Sequence, residues 1–398
     1  MKILLVNPFD KLPGESFRDQ RYTILYRLLK AGHQVRWISS DYHHWSHSRR
    51  NSNLLPPDDR QNIILIPVPH YRRNLGLKRP ASHLLFSLRA LNWLKNSGFE
   101  PELIVCVAPV EAMYLFAGYG RKNGIPVVLD VLDLWPDLFA KAFPKAFRGM
   151  GRVLLAPYYW MSRRSFSMAG LVTSVSRSYA EWAMARGGRN DRQNFTYYYL
   201  GGVEPKGDYN YGKSREVLTC LFAGQLGFNY DLETVIGAAR RLRDRRVEFL
   251  IAGEGYKMAQ LKKMAIGLDN VKFLGWLGFE SLQDLARNCH LGLNAYTREA
   301  TQSVPTKLFG YMSMGLLVVN SLEGEAAEML ESRGIGENYA AGDPDSLAEV
   351  ISRLYCDMPR VVERGALARV ALEREFLAEK ICLNMIEWLT GICTAGVA

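Results

Sequence analysis

Val217-Leu218-Thr219-Cys220-Leu221-Phe222-Ala223 runs into the turn Gly224-Gln225-Leu226-Gly227, and Val247-Glu248-Phe249-Leu250-Ile251-Ala252 runs into Gly253-Glu254-Gly255. Each is a short apolar run closed by glycine, the pattern of a strand buried on both faces. Between them Asp231 to Arg241 has helical spacing, so the unit reads strand, helix, strand. The alternation continues through a strand over Val271 to Gly275, a helix over Ser281 to Asn288 and a strand over Leu291 to Ala295. A helix from Pro305 to Met314 and a strand from Leu316 to Asn320 follow. Proline suits the first helical position, where no N–H is needed. Such alternation predicts a parallel sheet with helices on both faces.

The same grammar holds upstream. Lys2 to Val6 reads as a buried strand that ends in a loop containing Pro13-Gly14-Glu15. A helix is expected from about Phe17 to Lys30, with Ile24, Leu25, Leu28 and Leu29 at core spacing and Gly32 just past its end. Strands are expected at Gln34 to Ser39, Ile63 to Val68, Leu103 to Ala108, Pro126 to Val131 and Leu171 to Ser176. Asn194 to Tyr211, rich in Gly and Tyr, reads as a linker. The expected fold class is α/β: two Rossmann-like doubly wound domains, residues 1–200 and 201–375, facing a cleft. Residues 376–398 read as an amphipathic helix that closes back toward the first domain. A length of 398 residues suits two cores. Ligands of such sheets bind outside the carboxyl ends of the strands, so the loops there carry the chemistry.

Composition excludes several classes. With 48% hydrophobic and 23% charged residues the chain is neither disordered nor collagen-like. Its six cysteines are scattered without a C-x-x-C, which argues against a zinc ribbon or disulfide framework and for a reducing cytoplasm. The apolar runs are too short to span a membrane, and a first strand starting at Lys2 leaves no room for a secretory leader. Residues 1–200 hold 28 Lys and Arg against 14 Asp and Glu, whereas residues 201–398 hold 22 against 26. A basic first half suits anionic lipid head groups or pyrophosphates. No nucleic-acid reader motif accompanies it. Phe139 to Met168 interleaves Lys141, Arg148, Arg152, Arg163 and Arg164 with Phe147, Leu154, Tyr159 and Trp160, as an interfacial segment does. Helices packed on a sheet with snorkelling cations give the same pattern.

Several residues have the chemistry of a site. Ser303-Val304-Pro305-Thr306-Lys307 opens a helix, where free N–H groups and the helix dipole suit a phosphate and Lys307 adds a full charge. The turns at Gly224-Gln225 and Gly253-Glu254 would let backbone approach a nucleotide. Trp276 would lie against a base or in the core. Arg18 and Arg21, spaced i, i+3, would clamp an anionic acceptor. Asp41 and the histidines His43, His44 and His47 lie after the second strand; with no further ligand at recognised spacing they point to acceptor recognition or a proton relay through His44 rather than to metal. Asp133, at a strand end, is the candidate acid/base.

The ordered set Phe222-Ala-Gly-Gln-Leu-Gly, Phe249-Leu-Ile-Ala-Gly-Glu-Gly, Val271-Lys-Phe-Leu-Gly-Trp, Ser303-Val-Pro-Thr-Lys-Leu-Phe-Gly-Tyr-Met, Gly324-Glu-Ala-Ala-Glu and Gly342-Asp-Pro-Asp-Ser-Leu-Ala resembles the donor domain of family-four glycosyltransferases, which have the GT-B fold. The likeness is to the bacterial O-antigen and exopolysaccharide branch. Gly32-His-Gln-Val, Asp133-Leu-Trp-Pro-Asp and Val172-Thr-Ser-Val-Ser extend it to the first half. The resemblance implies a retaining, metal-independent glycosyltransferase of lipopolysaccharide or exopolysaccharide synthesis, without a cofactor. A nucleotide-diphosphate sugar, UDP-sugar before GDP-sugar, would be the donor. A lipid-linked saccharide at the inner face of the cell membrane would be the acceptor, so the protein would be cytoplasmic and peripheral to an anionic membrane. It implies Lys307 and Gln225 at the diphosphate, Ser303, Val304, Pro305 and Thr306 at the distal phosphate, and Gly253, Glu254 and Trp276 near the nucleoside. Gly14 would approach the donor sugar, and Trp135 belongs to the acceptor side with Asp133. The chain departs from the family pattern in three places: Gln302 and Gly310 replace two glutamates, the second of which normally holds the ribose; Gln225 and Tyr230 or Asn229 stand where common members have an arginine and a lysine, a pair the exopolysaccharide branch often lacks; and Leu132 replaces a histidine. Gln302, Gly310 and Leu132 are the whole case for the alternative, a non-catalytic GT-B scaffold or partner subunit.

Overall fold

The computed structural model describes residues 1–15, 20–44, 46–71, 76, 78–141, 143–204 and 216–394. Arg18 and Trp45 lie outside them. The chain divides into two compact units, Met1–Tyr199 with Glu379–Ala398, and Leu200–Ala378.

The first unit holds a parallel sheet of β1 (Lys2–Val6), β2 (Gln34–Ser40), β3 (Ile63–Ile66), β4 (Leu103–Val107), β5 (Val127–Val131) and β6 (Leu171–Ser174). Its order is β3-β2-β1-β4-β5-β6. The second unit repeats the design with β7 (Leu218–Ala223), β8 (Val247–Ala252), β9 (Val271–Gly275), β10 (Leu291–Asn294), β11 (Leu317–Asn320) and β12 (Gly336–Asn338), in the order β9-β8-β7-β10-β11-β12. Both are doubly wound sheets that reverse direction beside their first strand, and that reversal is where such sheets bind ligands. The strands β1, β4 and β5 of the first sheet, and β7, β10 and β11 of the second, are almost wholly buried, because helices cover both faces. Among the largest buried side chains are Trp37, Tyr22 and Tyr26 in the first unit and Phe222, Phe249, Phe309 and Tyr311 in the second. Each stabilises its core by about 1.5–3 kcal/mol.

Local signals set most boundaries. Asn7 ends β1 by accepting the N–H of Phe9 at 3.0 Å. Asp231 caps the helix Leu232–Arg241 by accepting the N–H of Thr234 at 3.2 Å. Three expected boundaries move. The helix expected from Phe17 begins at Arg21 among the described residues. The helix expected over Ser281 to Asn288 runs over Phe279–Ala286. The helix expected to open on Pro305 is Thr306–Ser313, because Pro305 has an extended backbone (ψ 150°) and stands as the cap. The terminal helix Ala378–Thr394 belongs from Glu379 onward to the first unit, where Met385 and Leu389 are fully buried. Among the described residues no helix is long and apolar enough to cross a membrane.

Candidate functional site

In the second unit the chain reverses between β7 and β10, and the lysine of the following helix reaches back to that point. Lys307 Nζ lies 3.7 Å from the ring centre of Phe222, at the end of β7, and 3.7 Å from that of Tyr230. Tyr296, just past β10, is 6.0 Å away. The ammonium is buried and meets no hydrogen-bond acceptor among the described residues. Burial therefore pushes its pKa well below the usual lysine value. Aromatic faces attract a cation, but they do not replace the hydrogen bonds that water gave it.

Glycine makes this arrangement possible. A Cβ on Gly224 would stand 2.8 Å from Lys307 Nζ, and a Cβ on Gly253 would collide with the Gly224 carbonyl. The two turns instead run side by side: Gly224 N–H donates to Ala252 O at 2.9 Å and Leu226 N–H to Glu254 O at 2.8 Å. The closest approach that Gly253 permits is thus to the neighbouring turn. Gln225 and Glu254 point outward and are exposed. Trp276 is 72% exposed, which removes the core reading of that residue.

The helix Thr306–Ser313 begins without a side-chain cap from Pro305, and Leu308 N–H turns back to Pro305 O at 3.0 Å. Val304 is buried beneath it and Thr306 is exposed. Ser303 Oγ donates to Glu325 Oε2 at 3.0 Å, and Glu325 is itself buried at the start of the helix Glu325–Arg333. Gly310 faces open space, with nothing within 4 Å of where a Cβ would be. Gln302 nearby has a buried Oε1 without a partner.

Sequence reasoning missed a polar ladder at this sheet's carboxyl edge. Asn294, Asn320 and Asn338 end β10, β11 and β12 in register. Asn294 Nδ2 donates to Asn320 Oδ1 at 2.8 Å, and Asn320 Nδ2 to Asn338 Oδ1 at 2.7 Å. An asparagine closing each strand was the available signal. The ladder fixes the edge from which the Tyr296 loop departs, since Ser321 Oγ accepts the Tyr296 N–H at 2.7 Å.

In the first unit, Asp133, His44 and Trp135 gather around an aromatic cluster. Trp135 stacks on His83 (5.4 Å, 9°) and meets Phe9 edge-on at 5.6 Å. The Arg79 guanidinium sits 5.4 Å from the Trp135 ring. Trp135 is buried and forms a wall of this cluster, beside Asp133 on the side where acceptor binding is expected. His44 Nδ1 is 2.8 Å from Tyr71 Oη, and burial with Arg79 nearby pushes its pKa down to about 4. The same causes lower His83 to about 3. Both rings are neutral at pH 7. The Asp133 side chain is solvent-exposed and has no hydrogen-bond partner among the described residues. Protein packed around it nonetheless limits hydration and raises its carboxyl to about 6, with Arg79 opposing the rise. Phe9, Arg79 and His83 are the members the sequence did not single out, being scattered along it.

Two expected residues have structural tasks. Gly14, at φ +86°, packs so closely on the Leu54 carbonyl that a Cβ would collide with it. Arg21 is buried: Nη1 donates to Tyr198 O at 2.8 Å, and Nη2 lies 3.4 Å from Asp130 Oδ2 and 3.2 Å from Met385 Sδ. Tyr22 Oη donates to the same Asp130 at 2.7 Å. A guanidinium so committed cannot clamp an acceptor, which corrects the expectation for Arg21. Arg18 is outside the described residues. Among the described residues no group of three His, Cys, Asp or Glu is placed to hold a metal ion.

Residues 22–198 match the glycosyl transferase 4-like domain, and residues 218–357 match the glycosyl transferases group 1. The chain is 38% identical, over 98% of its length and all of the relative's, to WcaI of Escherichia coli K12, described as a colanic acid biosynthesis glycosyl transferase. Among solved structures it is similar to Anabaena HepE in complex with UDP (TM-score 0.68, 17% identity, 98% of this chain and 100% of that one). It is also similar to WaaG, a glycosyltransferase involved in lipopolysaccharide biosynthesis (TM-score 0.66, 15% identity, 98% and 100%). Two doubly wound sheets, the two family matches and the full-length relative agree: the chain belongs to glycosyltransferase family four, the GT-B enzymes of bacterial polysaccharide synthesis.

Proposed function

We propose that the protein moves a hexose from a nucleoside-diphosphate sugar to a lipid-linked saccharide at the inner face of the cell membrane, with retention of anomeric configuration and without bound metal. The observation that carries this reading is Lys307, a buried amine with no hydrogen-bond acceptor among the described residues, at the sheet's reversal point and at a helix start without a side-chain cap. A diphosphate would supply the missing partner, and fixed cations and N–H groups would stabilise the charge on the departing phosphate. A scaffold has no use for such a charge. HepE was solved with UDP, which favours a UDP-sugar, with a GDP-sugar second.

Each residue then has a role. Lys307, Gly224 and Gln225 hold the diphosphate, with Ser303, Val304, Pro305 and Thr306 presenting the helix start. Gly253 and Glu254 border the nucleoside, and the exposed Trp276 covers the base. The sugar C1–O bond to the diphosphate breaks and an acceptor oxygen joins C1 on the same face. The acceptor's proton passes to the departing diphosphate, while the Asp133 carboxylate holds the acceptor hydroxyl. Neutral His44, tied to Tyr71, positions the acceptor beside it.

Calorimetric titration with UDP, GDP, dTDP and CMP, in the presence of a chelator, tests the reading. Binding of one nucleoside diphosphate, lost in Lys307→Ala, is the expected result. Binding of none by folded protein would overturn it in favour of the scaffold.

A further inference from the structure

Two helices of the first unit, Ala156–Met168 and Arg177–Gly187, pack closely because Gly187 rests on Phe166: a Cβ there would stand 3.0 Å from the Phe166 Cβ. The same two helices line an open cavity of about 610 Å³. Tyr159, Trp160 and Arg163 face it from the first helix, and Trp182 and Arg186 from the second. Ala185 and Gly188 complete the lining, and nothing stands within 4 Å of where a Gly188 Cβ would be. The space exists because those two positions carry so little side chain. None of the lining residues belongs to the Asp133 and His44 cluster.

The walls are held by one carboxylate. Tyr159 Oη donates to Asp137 Oδ1 at 2.8 Å, while Trp182 Nε1 and Arg186 Nη2 donate to Oδ2 at 2.7 and 2.6 Å. Arg186 lies between the Tyr159 and Trp182 rings, 4.9 and 5.0 Å from their centres. Burial and the bond to Asp137 push the Tyr159 hydroxyl up to about 12, so it keeps its proton as a donor. Walls fixed in this way lose little freedom when a ligand arrives. Asp137 and Arg186 offset each other's charge. Arg163 is exposed and has no ion pair among the described residues, so the cavity carries a net positive charge. One helical turn before it stands Trp160, which is 52% exposed and leans on the Tyr114 ring at 5.2 Å.

An open indole with a guanidinium one turn away selects a chemistry. The face of the indole is negative and attracts the C–H groups that a pyranose ring presents on one side. The arginine fork takes a carboxylate in two parallel hydrogen bonds. Cavities of about 300–1,000 Å³ with aromatic walls and a few fixed polar groups are the usual form of a small-ligand site. The chain belongs to enzymes of polysaccharide synthesis, so saccharides are the ligands it meets. We infer that this cavity is a second saccharide site, one for an acidic oligosaccharide: a sugar ring lies on Trp160 and its carboxylate is held by Arg163. The site goes beyond the proposed transfer, because it holds a saccharide chain without touching the hydroxyl that reacts. It gives the enzyme a preference for chains that carry acidic sugars.

Titration of the full chain with trigalacturonic acid and with neutral cellotriose, followed by saturation-transfer NMR, tests it. The acidic trisaccharide should bind about tenfold more tightly than the neutral one, the worth of a hydrogen bond to a charged group at an exposed site. Arg163→Gln should remove that preference and leave cellotriose binding as it was. Trp160→Ala keeps the charge and should weaken both sugars by about tenfold. Ala185→Phe fills the cavity from an exposed position and should abolish both. UDP affinity should be unchanged in all three variants, which with circular dichroism shows that the fold survives. Protein that binds UDP and neither sugar would overturn the site and leave the proposed transfer standing, and sugar binding without UDP binding would do the reverse. Equal affinity for the two sugars would overturn the acidic class. Sugar binding indifferent to Trp160→Ala and Ala185→Phe would place the saccharide elsewhere on the chain and overturn the assignment. So would binding of phosphatidylglycerol vesicles that Ala185→Phe abolishes, in protein that takes up neither sugar, by giving the cavity to a lipid head group.

Discussion

Lys307 Nζ lies 3.7 Å from the centre of the Tyr230 ring. The contact holds a cation in place without giving it a hydrogen bond, and it sits where the second sheet reverses. In this setting the ammonium's pKa is well below its usual value, and an arriving diphosphate would raise it again. Binding of UDP should therefore take up a proton at pH values between the depressed pKa and the ordinary lysine range. Calorimetry in buffers of different ionisation enthalpy measures that uptake. Lys307→Met should abolish it and weaken UDP binding by about 10- to 100-fold, the worth of a charge-assisted hydrogen bond.

Gly310 lies in the interior of the helix Thr306–Ser313 and faces open space. A side chain fits there without collision, and replacing glycine inside a helix stabilises by about 0.5–1 kcal/mol. Gly310→Glu should raise the melting temperature by a few degrees, measured by calorimetric scanning. It also places a carboxylate where the family resemblance puts the ribose contact, so on that reading UDP should bind more tightly and the free base uracil unchanged.

The Asp133 carboxyl, raised to about 6, acts in its ionised form if it holds the acceptor hydroxyl. Activity should rise with pH through about 6 and then level off, because the group loses its proton across that range. Asp133→Asn should remove this limb and lower turnover by about 10²- to 10⁴-fold while leaving UDP affinity intact. His44, lowered to about 4, is already neutral there, so His44→Gln should retain the limb. A pH–rate profile of the three proteins checks both statements.

Arg21 and Asp130 are a buried pair that ties the first helix to β5 and the terminal helix. Arg21→Met leaves the Asp130 charge without its cation, and should destabilise the protein by about 3–5 kcal/mol in urea unfolding. An acceptor-clamping arginine would instead show its loss in the acceptor's KM, with stability unchanged.

The sheets were readable because Ile3–Val6 of β1, Leu103–Val107 of β4, Cys220–Ala223 of β7 and Phe249–Ala252 of β8 are short apolar runs, and burial on both faces requires such runs. Lys307 was readable too, as a cation one residue inside a helix start. The chain by itself thus determined the alternation of elements, the two doubly wound units and the kind of charge at the second reversal point. Tertiary structure decided what each charge meets. Phe222, Tyr230 and Tyr296 enclose Lys307 only because β7 and β10 are neighbours in the sheet. Arg21 left the expected acceptor set because Asp130 and Met385, far along the chain, converge on it. The asparagine ladder exists only in the register of three parallel strands. Periodicity reports which face of an element is apolar, but strand order and register decide which side chains share a buried space, and there hydrogen bonding and desolvation set what they do.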